Sequence, residues 1–242
     1  MQRHCLVTGA NRGIGLEFVR QLLARGGHVV ATSRHPGRAT ALNGLAGEHP
    51  GRLHVLPLDV ADAKSRTELV RELPLVLGDD GRLDLLVNNA GVLHSGERFG
   101  HVEATTLEDS LRTNAVGPFL LAQALVPWLR EGVGAAVGPG AVIANLSSVM
   151  ASIASRNEFR SPSYCASKAA QNMLSVQLAH ALAPRGITVL ALHPGWVQTD
   201  MGGGSATVPT ADAVRGFLAV IDAATPAQSG HFLDWRGETI AW

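Results

Sequence analysis

Two hydrophobic patterns alternate along this chain. One is a short, nearly unbroken apolar run: Cys5-Leu6-Val7, residues 28–34, 53–60, 83–87, 141–146, 187–192 and His231-Phe232-Leu233. The other places apolar residues at helical spacing, as in Leu16, Phe18, Val19, Leu22 and Leu23, where Gly26-Gly27 ends the segment. Further helices are predicted over 62–77, 106–130, the stretch from Tyr164 onward and 211–223. Strand alternating with helix throughout predicts one doubly wound α/β domain, a Rossmann-type seven-stranded parallel sheet with helices on both faces. Asn114 and Gly117-Pro118 fall inside the long helical stretch. A proline there removes a backbone hydrogen bond and predicts a kink, which frees Asn114 to bond beyond its own turn.

Composition narrows the class. A chain of 242 residues with 46% apolar residues suits one large domain. Zero formal charge without a basic block argues against nucleic acid as a partner. No apolar run reaches the length of a membrane span. Cys5 and Cys165 form no disulfide framework and suit a reducing compartment. Met1-Gln2-Arg3-His4 runs straight into the first strand without a cleavable signal, so a cytoplasmic location is expected.

Ligands in parallel sheets bind beyond the carboxyl ends of the strands, where the polar residues of this chain collect. The first strand ends in Thr8-Gly9-Ala10-Asn11-Arg12-Gly13-Ile14-Gly15, a strand–turn–helix junction suited to a pyrophosphate. The second ends in Ser33-Arg34, where an acid would hold a ribose 2′-hydroxyl. A cation there suits a 2′-phosphate, with Arg12 and Arg38 adding charge, so NADP(H) is the expected cofactor. Arg34 could also simply cap the strand in solvent. Asp59 either caps the next helix or accepts from an adenine amino group. Asn88-Asn89-Ala90-Gly91 suits either packing against a flat ring or a turn. No metal is implied.

Tyr164 is the one tyrosine of the chain, and Lys168, four residues later, is one of two lysines. An i, i+4 pair shares a helix face, and an ammonium beside a phenol lowers its pKa toward working pH. Such a tyrosine can exchange a proton with an alcohol or carbonyl oxygen. A half-buried tyrosine and a surface lysine on an ordinary helix are the plainer alternative.

The chain resembles the short-chain dehydrogenase/reductase family over nearly its whole length. The resemblance rests on Thr8-Gly9-x-x-x-Gly13-x-Gly15, Asp59, Asn88-Asn89-Ala90-Gly91, Asn114, Ser148, Tyr164-x-x-x-Lys168 and Pro194-Gly195. Residues 31–34 and 193–203 and the Trp-ended tail resemble the C-factor and sniffer-type carbonyl reductases. The resemblance implies hydride transfer between nicotinamide C4 and a carbonyl carbon, with Tyr164 as acid or base. It implies that Lys168 tunes Tyr164 and bonds the nicotinamide ribose, that Ser148 holds the substrate oxygen, and that Asn114 anchors a water. Thr199 would meet the carboxamide, and Asn88, Ala90 and Gly91 the adenosine. Asn11, Ile14, Val60, Pro194, Gly195 and Val197 would complete the cofactor contacts. The cofactor half would span about 1–115 and the catalytic half about 116–242.

The interval from Ser148 to Tyr164 is longer than the family's usual one, through residues 156–160. Met150, Phe159, Trp196 and Met201 are expected to form an apolar pocket for hydrophobic aldehydes, ketones or quinones. A homodimer or homotetramer is the family expectation. Two alternatives stand: a cofactor-binding signalling protein of C-factor type, and an NAD-dependent alcohol dehydrogenase.

Overall fold

The computed structural model of the protein describes residues 3–78, 81–132 and 139–242; Met1 and Gln2, from the start read above as lacking a signal, lie outside them. The strands are β1 (His4–Val7), β2 (His28–Ser33), β3 (Leu53–Pro57), β4 (Leu85–Asn88), β5 (Val142–Leu146), β6 (Thr188–His193) and β7 (Phe232–Asp234). They form one sheet in the order β3-β2-β1-β4-β5-β6-β7, and every neighbouring pair is parallel. The helices are α1 (Gly13–Ala24), α2 (Thr40–Glu48), α3 (Ala63–Leu77), α4 (Ala104–Leu111), α5 (Gly117–Leu125), α6 (Pro162–Leu182) and α7 (Thr210–Asp222).

Successive strand residues point to opposite faces, so each strand feeds two cores. Cys5 and Val7 of β1 join Phe18 of α1 and Phe217 of α7, whose rings stack at 5.8 Å. Leu6 points the other way, into a core shared with Leu69 and Leu73 of α3, Leu121 of α5 and Leu178 of α6. The chain winds outward from β1 to β3 on one side and from β4 to β7 on the other. The connections therefore diverge above β1 and β4, and a crevice opens at their carboxyl ends.

Three details depart from the sequence reading. Helix α2 was not anticipated: Gly44 and Gly47 weaken its signal, and Leu42 is its one buried residue. The third strand stops at Pro57 instead of running to Val60, because Asp59 Oδ1 accepts the Ala61 N–H (2.9 Å) and turns the chain. Within the long helical stretch the irregularity falls before Pro118: a single π turn over Arg112–Val116 joins α4 to α5, and Pro118 follows directly after it.

Candidate active site

A cleft of about 620 Å³ occupies the crevice. Its floor is the glycine turn. Gly9 has φ +63°, and a Cβ on it would lie 2.9 Å from Ala90 Cα. A Cβ on Gly15 would lie 2.5 Å from both Asn89 Nδ2 and the Gly9 carbonyl. Only glycine lets β1, the loop after β4 and α1 approach this closely. Helix α1 begins beyond Arg12 without a side-chain cap, so its N-terminal end offers backbone donors and positive charge beside Gly13 and Ile14 on the cleft wall. Asn11 and Arg12 also line the cleft, and Arg12 reaches Asp200 at 2.7 Å.

The loop after β4 differs from expectation by one residue. Asn89, Ala90 and Gly91 line the cleft. Asn89 Nδ2 donates to the Thr8 (2.8 Å) and Gly9 (3.0 Å) carbonyls, which ties this loop to the glycine turn. Asn88 is turned away from the cleft, because adjacent strand residues face opposite sides. Its Nδ2 donates to Asn145 Oδ1 (2.8 Å) within the interior.

At the β2 end, Ser33, Arg34 and Arg38 line the cleft. Ser33 is buried and its Oγ accepts the His35 N–H, while both arginines are exposed. Among the described residues no carboxylate pairs with Arg34 or Arg38. Asp59 and Val60 line the same side. The cap of α3 is Asp62, not Asp59, and it accepts the Ser65 N–H at 2.7 Å.

The opposite wall is built by stitching α6 to β5. The first two-thirds of α6 bury Ser163, Ser167, Lys168, Gln171, Asn172 and Ser175, and its last turns bury Leu178, Ala179 and Leu182. Ser147 Oγ donates to Asn172 Oδ1 (2.6 Å), Asn145 Nδ2 to Ser175 Oγ (2.8 Å), and Lys168 Nζ to the Leu146 carbonyl (2.7 Å). Lys168 Nζ also donates to Gln171 Oε1 at 2.9 Å. These bonds place Tyr164 and Lys168 in the cleft wall beside Leu146 and Ser147. Ser147 is committed to Asn172, whereas Ser148, just behind the lining residues, accepts the Met150 N–H at 3.1 Å and lies near enough to Tyr164 to oppose the rise of its pKa.

The electrostatics of this pair correct one expectation. Burial pushes the Tyr164 phenol up to about 12, and Ser148 opposes that only in part. Burial alone pushes the Lys168 ammonium down to about 7. Its Nζ is 5.9 Å from the Tyr164 ring centre and bonded elsewhere, so it does not dominate the phenol.

Asn114 lies in the π turn and is fully buried. Its Nδ2 donates to the Val92 carbonyl (2.9 Å) and to Ser167 Oγ (2.9 Å), and its Oδ1 accepts the Val92 N–H (2.8 Å). Its side chain ties the 92 loop to α6. A second tie comes from Glu97. Ser161, before α6, holds φ +45° and makes no cap of its own. Glu97 instead accepts from Ser163 Oγ (2.9 Å) and the Ser163 N–H (3.3 Å), 66 residues away.

After β6, Pro194, Thr199 and Met201 reach the cleft along with Gln198 and Asp200. Gly195 (φ +78°) packs on Trp235, and Val197 is buried in a bridge with Val208, so neither lines it. The expected apolar pocket is not assembled as such. Met201 is on the cleft wall, Trp196 is half exposed with its Nε1 donating to the Gly202 carbonyl, and Met150 lies in the turn after Ser148. Phe159 meets Phe99 edge-on, ring centres 5.7 Å apart, and both are exposed. Glu97, Phe99 and Gln171 were not singled out from the sequence, and Asn89 was quoted in its motif without a contact of its own. Gln171 alone carried a local signal, a polar residue one helical turn from Lys168.

A family model for short chain dehydrogenases matches residues 3–207, and the chain belongs to that family. More particularly, it is 36% identical to an NADPH-bound carbonyl reductase from chicken fatty liver, covering 100% of this chain and 99% of that one with a TM-score of 0.90. It is 33% identical to the carbonyl reductase Sniffer of D. melanogaster, covering 100% of both chains with a TM-score of 0.92. It is also 40% identical over 162 residues to C-signal of Myxococcus xanthus, 67% of this chain and 94% of that one.

Proposed function

We propose that this protein is an NADP(H)-dependent carbonyl reductase with Tyr164 as its proton donor. The carrying observation is the convergence, on one cleft, of the glycine turn, of Arg34 and Arg38, which pair with no carboxylate among the described residues, and of the half-buried Tyr164 with the buried Lys168. The close-approach glycines and uncapped α1 fit a pyrophosphate, and the two arginines, with no acid at the end of β2, fit a 2′-phosphate. NADPH, when bound, supplies the hydride to the carbonyl carbon. Gly9, Asn11, Gly13 and Ile14 hold its phosphates, and Asp59, Val60, Ala90 and Gly91 flank its adenosine. Thr199 meets its carboxamide, with Pro194 beside it. Ser148 and Tyr164 hydrogen-bond the substrate oxygen. A phenol protonated throughout the neutral range can donate its proton to the substrate oxygen as the hydride arrives. Asn114 acts as a positioning residue through Val92 and Ser167.

Apolar carbonyl compounds are the favoured substrates, supported by Met201 on the cleft wall. The division into a cofactor half and a catalytic half near residue 115, a cytoplasmic setting and a homodimer or homotetramer belong to the same reading. No helix among the described residues is long and apolar enough to cross a membrane. A solution mass equal to one chain would remove the oligomer.

The test is NADPH oxidation over a panel of carbonyl compounds, wild type beside Tyr164→Phe. Loss of the proton donor is expected to cost about 10²–10⁴-fold in turnover, with NADPH binding retained. Tight NADPH binding without turnover on any carbonyl would instead favour a cofactor-dependent signalling protein, the reading that similarity to C-signal supports.

A further inference from the structure

Gln171 is 2% exposed and lies one turn beyond Lys168 on α6, outside the set of residues that line the cleft. Its Oε1 accepts from Lys168 Nζ at 2.9 Å, while its Nε2 is buried with no hydrogen-bond partner among the described residues. An apolar side chain would fill this space without leaving an amide half satisfied, so packing does not account for a glutamine. Its orientation is informative. Turned over, the amide would set Nε2 against the donors of the lysine, so a charged Lys168 holds the oxygen inward.

The other acceptor of Lys168 is the Leu146 carbonyl, fixed by the sheet. The groups around Nζ are Tyr164 from α6, Gly91 from the loop after β4 (a Cβ on it would lie 3.7 Å from Nζ), and beyond it the Asn114 amide from the π turn. Tyr164 is the one titratable side chain among them, and no carboxylate contributes to the electrostatics of Lys168. The glutamine oxygen is therefore the side-chain acceptor on which the ammonium depends.

We propose that Gln171 is a positioning residue that holds the Lys168 ammonium and so sets the pH range in which that ammonium, which does not govern the phenol, can serve the bound cofactor. This rests on the carbonyl-reductase reading for its consequence, but its physical core can be measured without turnover. Lys64 and Lys168 are the two lysines of the chain, and Lys64 is exposed on α3. In protein labelled at lysine Cε, an NMR titration therefore follows Lys168 as one of two signals.

Gln171→Glu places a carboxylate against the ammonium and is expected to raise the Lys168 midpoint by about one pH unit or more. Gln171→Met removes the acceptor and is expected to lower it; Gln171→Asn, which withdraws the oxygen by one methylene, reads the same direction if the methionine variant does not fold. The alkaline limb of kcat/KM for carbonyl reduction should move with the midpoint in each variant, a response that loosened packing would not produce. An unmoved midpoint in folded variants overturns the inference, as does a moved midpoint with an unmoved limb. Absence of turnover in wild type would overturn the function reading instead, leaving the titration to decide the role of Gln171.

Discussion

At the scale of single residues, the cleft separates groups that recognise by charge from groups that recognise by shape. Arg34 is exposed and, among the described residues, unpaired, so its guanidinium is available to a phosphate. Arg34→Asp is expected to weaken NADPH binding roughly 10-fold or more, the scale of one charge-assisted hydrogen bond, and to narrow or reverse the preference over NADH. Equal affinities before and after, by fluorescence titration, would remove Arg34 from the site. Gly9 works by shape. Gly9→Ala forces a Cβ against Ala90 in a left-handed backbone, and a loss of roughly 1–3 kcal/mol is expected in denaturant unfolding, along with weaker cofactor binding.

Legibility at this scale follows from locality. The glycine turn, Arg34 and Tyr164-x-x-x-Lys168 were readable because each acts through neighbours a few residues away. Asn88 and Asn89 were not told apart by the sequence, because strand alternation, invisible until the strand end is fixed, decides which amide side chain faces the cleft. The state of Lys168 was misjudged because proximity along a helix says nothing of burial, and burial dominates both members of the pair.

At the scale of elements, strands were the most legible. Buried on two faces, they read as apolar runs, and all seven appear within a few residues of their expected bounds. Helix α6 was legible from its motif more than from its pattern, because polar residues occupy its buried face along β5. Least legible was its start. The cap of the helix that carries Tyr164 comes from Glu97, a contact 66 residues long that no local window contains. Glu97→Ala is expected to cost about 1 kcal/mol of stability, the typical worth of an N-cap. It should also lower kcat more than it raises KM for NADPH, since Ser163 adjoins Tyr164 and not the phosphate end of the cleft. A variant with unchanged melting temperature and kcat would show that the first turn of α6 stands without it.

For the whole molecule, buried ionisable groups shape stability against pH. Burial pushes His193 down to about 4, against a smaller opposing effect of Asp234. Below pH 6.5 the unfolded chain takes up a proton that the folded one refuses, so roughly 3 kcal/mol is lost between pH 6.5 and 4. Lys168 acts in the same sense higher up: the unfolded chain holds its proton up to about 10.5 and the folded chain to about 7, so stability rises across that window. Cys5 and Tyr164, both pushed up to about 12, act oppositely above pH 9 and 10, where the unfolded chain has already given up its protons. The melting temperature is therefore expected to climb from pH 4 and peak near pH 9–10, well above the sequence pI of 7.2. A peak at or below pH 7, or no flattening of the acid limb in His193→Gln, would contradict this balance.

The seven parallel strands also give the molecule a front and a back. The carboxyl ends of β1 to β6 lead to the cleft, so the rim where the strands begin lies away from the chemistry. Helix α1 starts at the cleft and finishes at that far rim, where Ala24 is exposed. Both native thiols are poor competitors for a tether: Cys5 is buried in β1, and the half-buried Cys165 donates to the Arg160 carbonyl. An Ala24→Cys graft onto a solid support would then hold every copy facing outward, with the entrance open to solution and turnover per molecule close to that of the free enzyme.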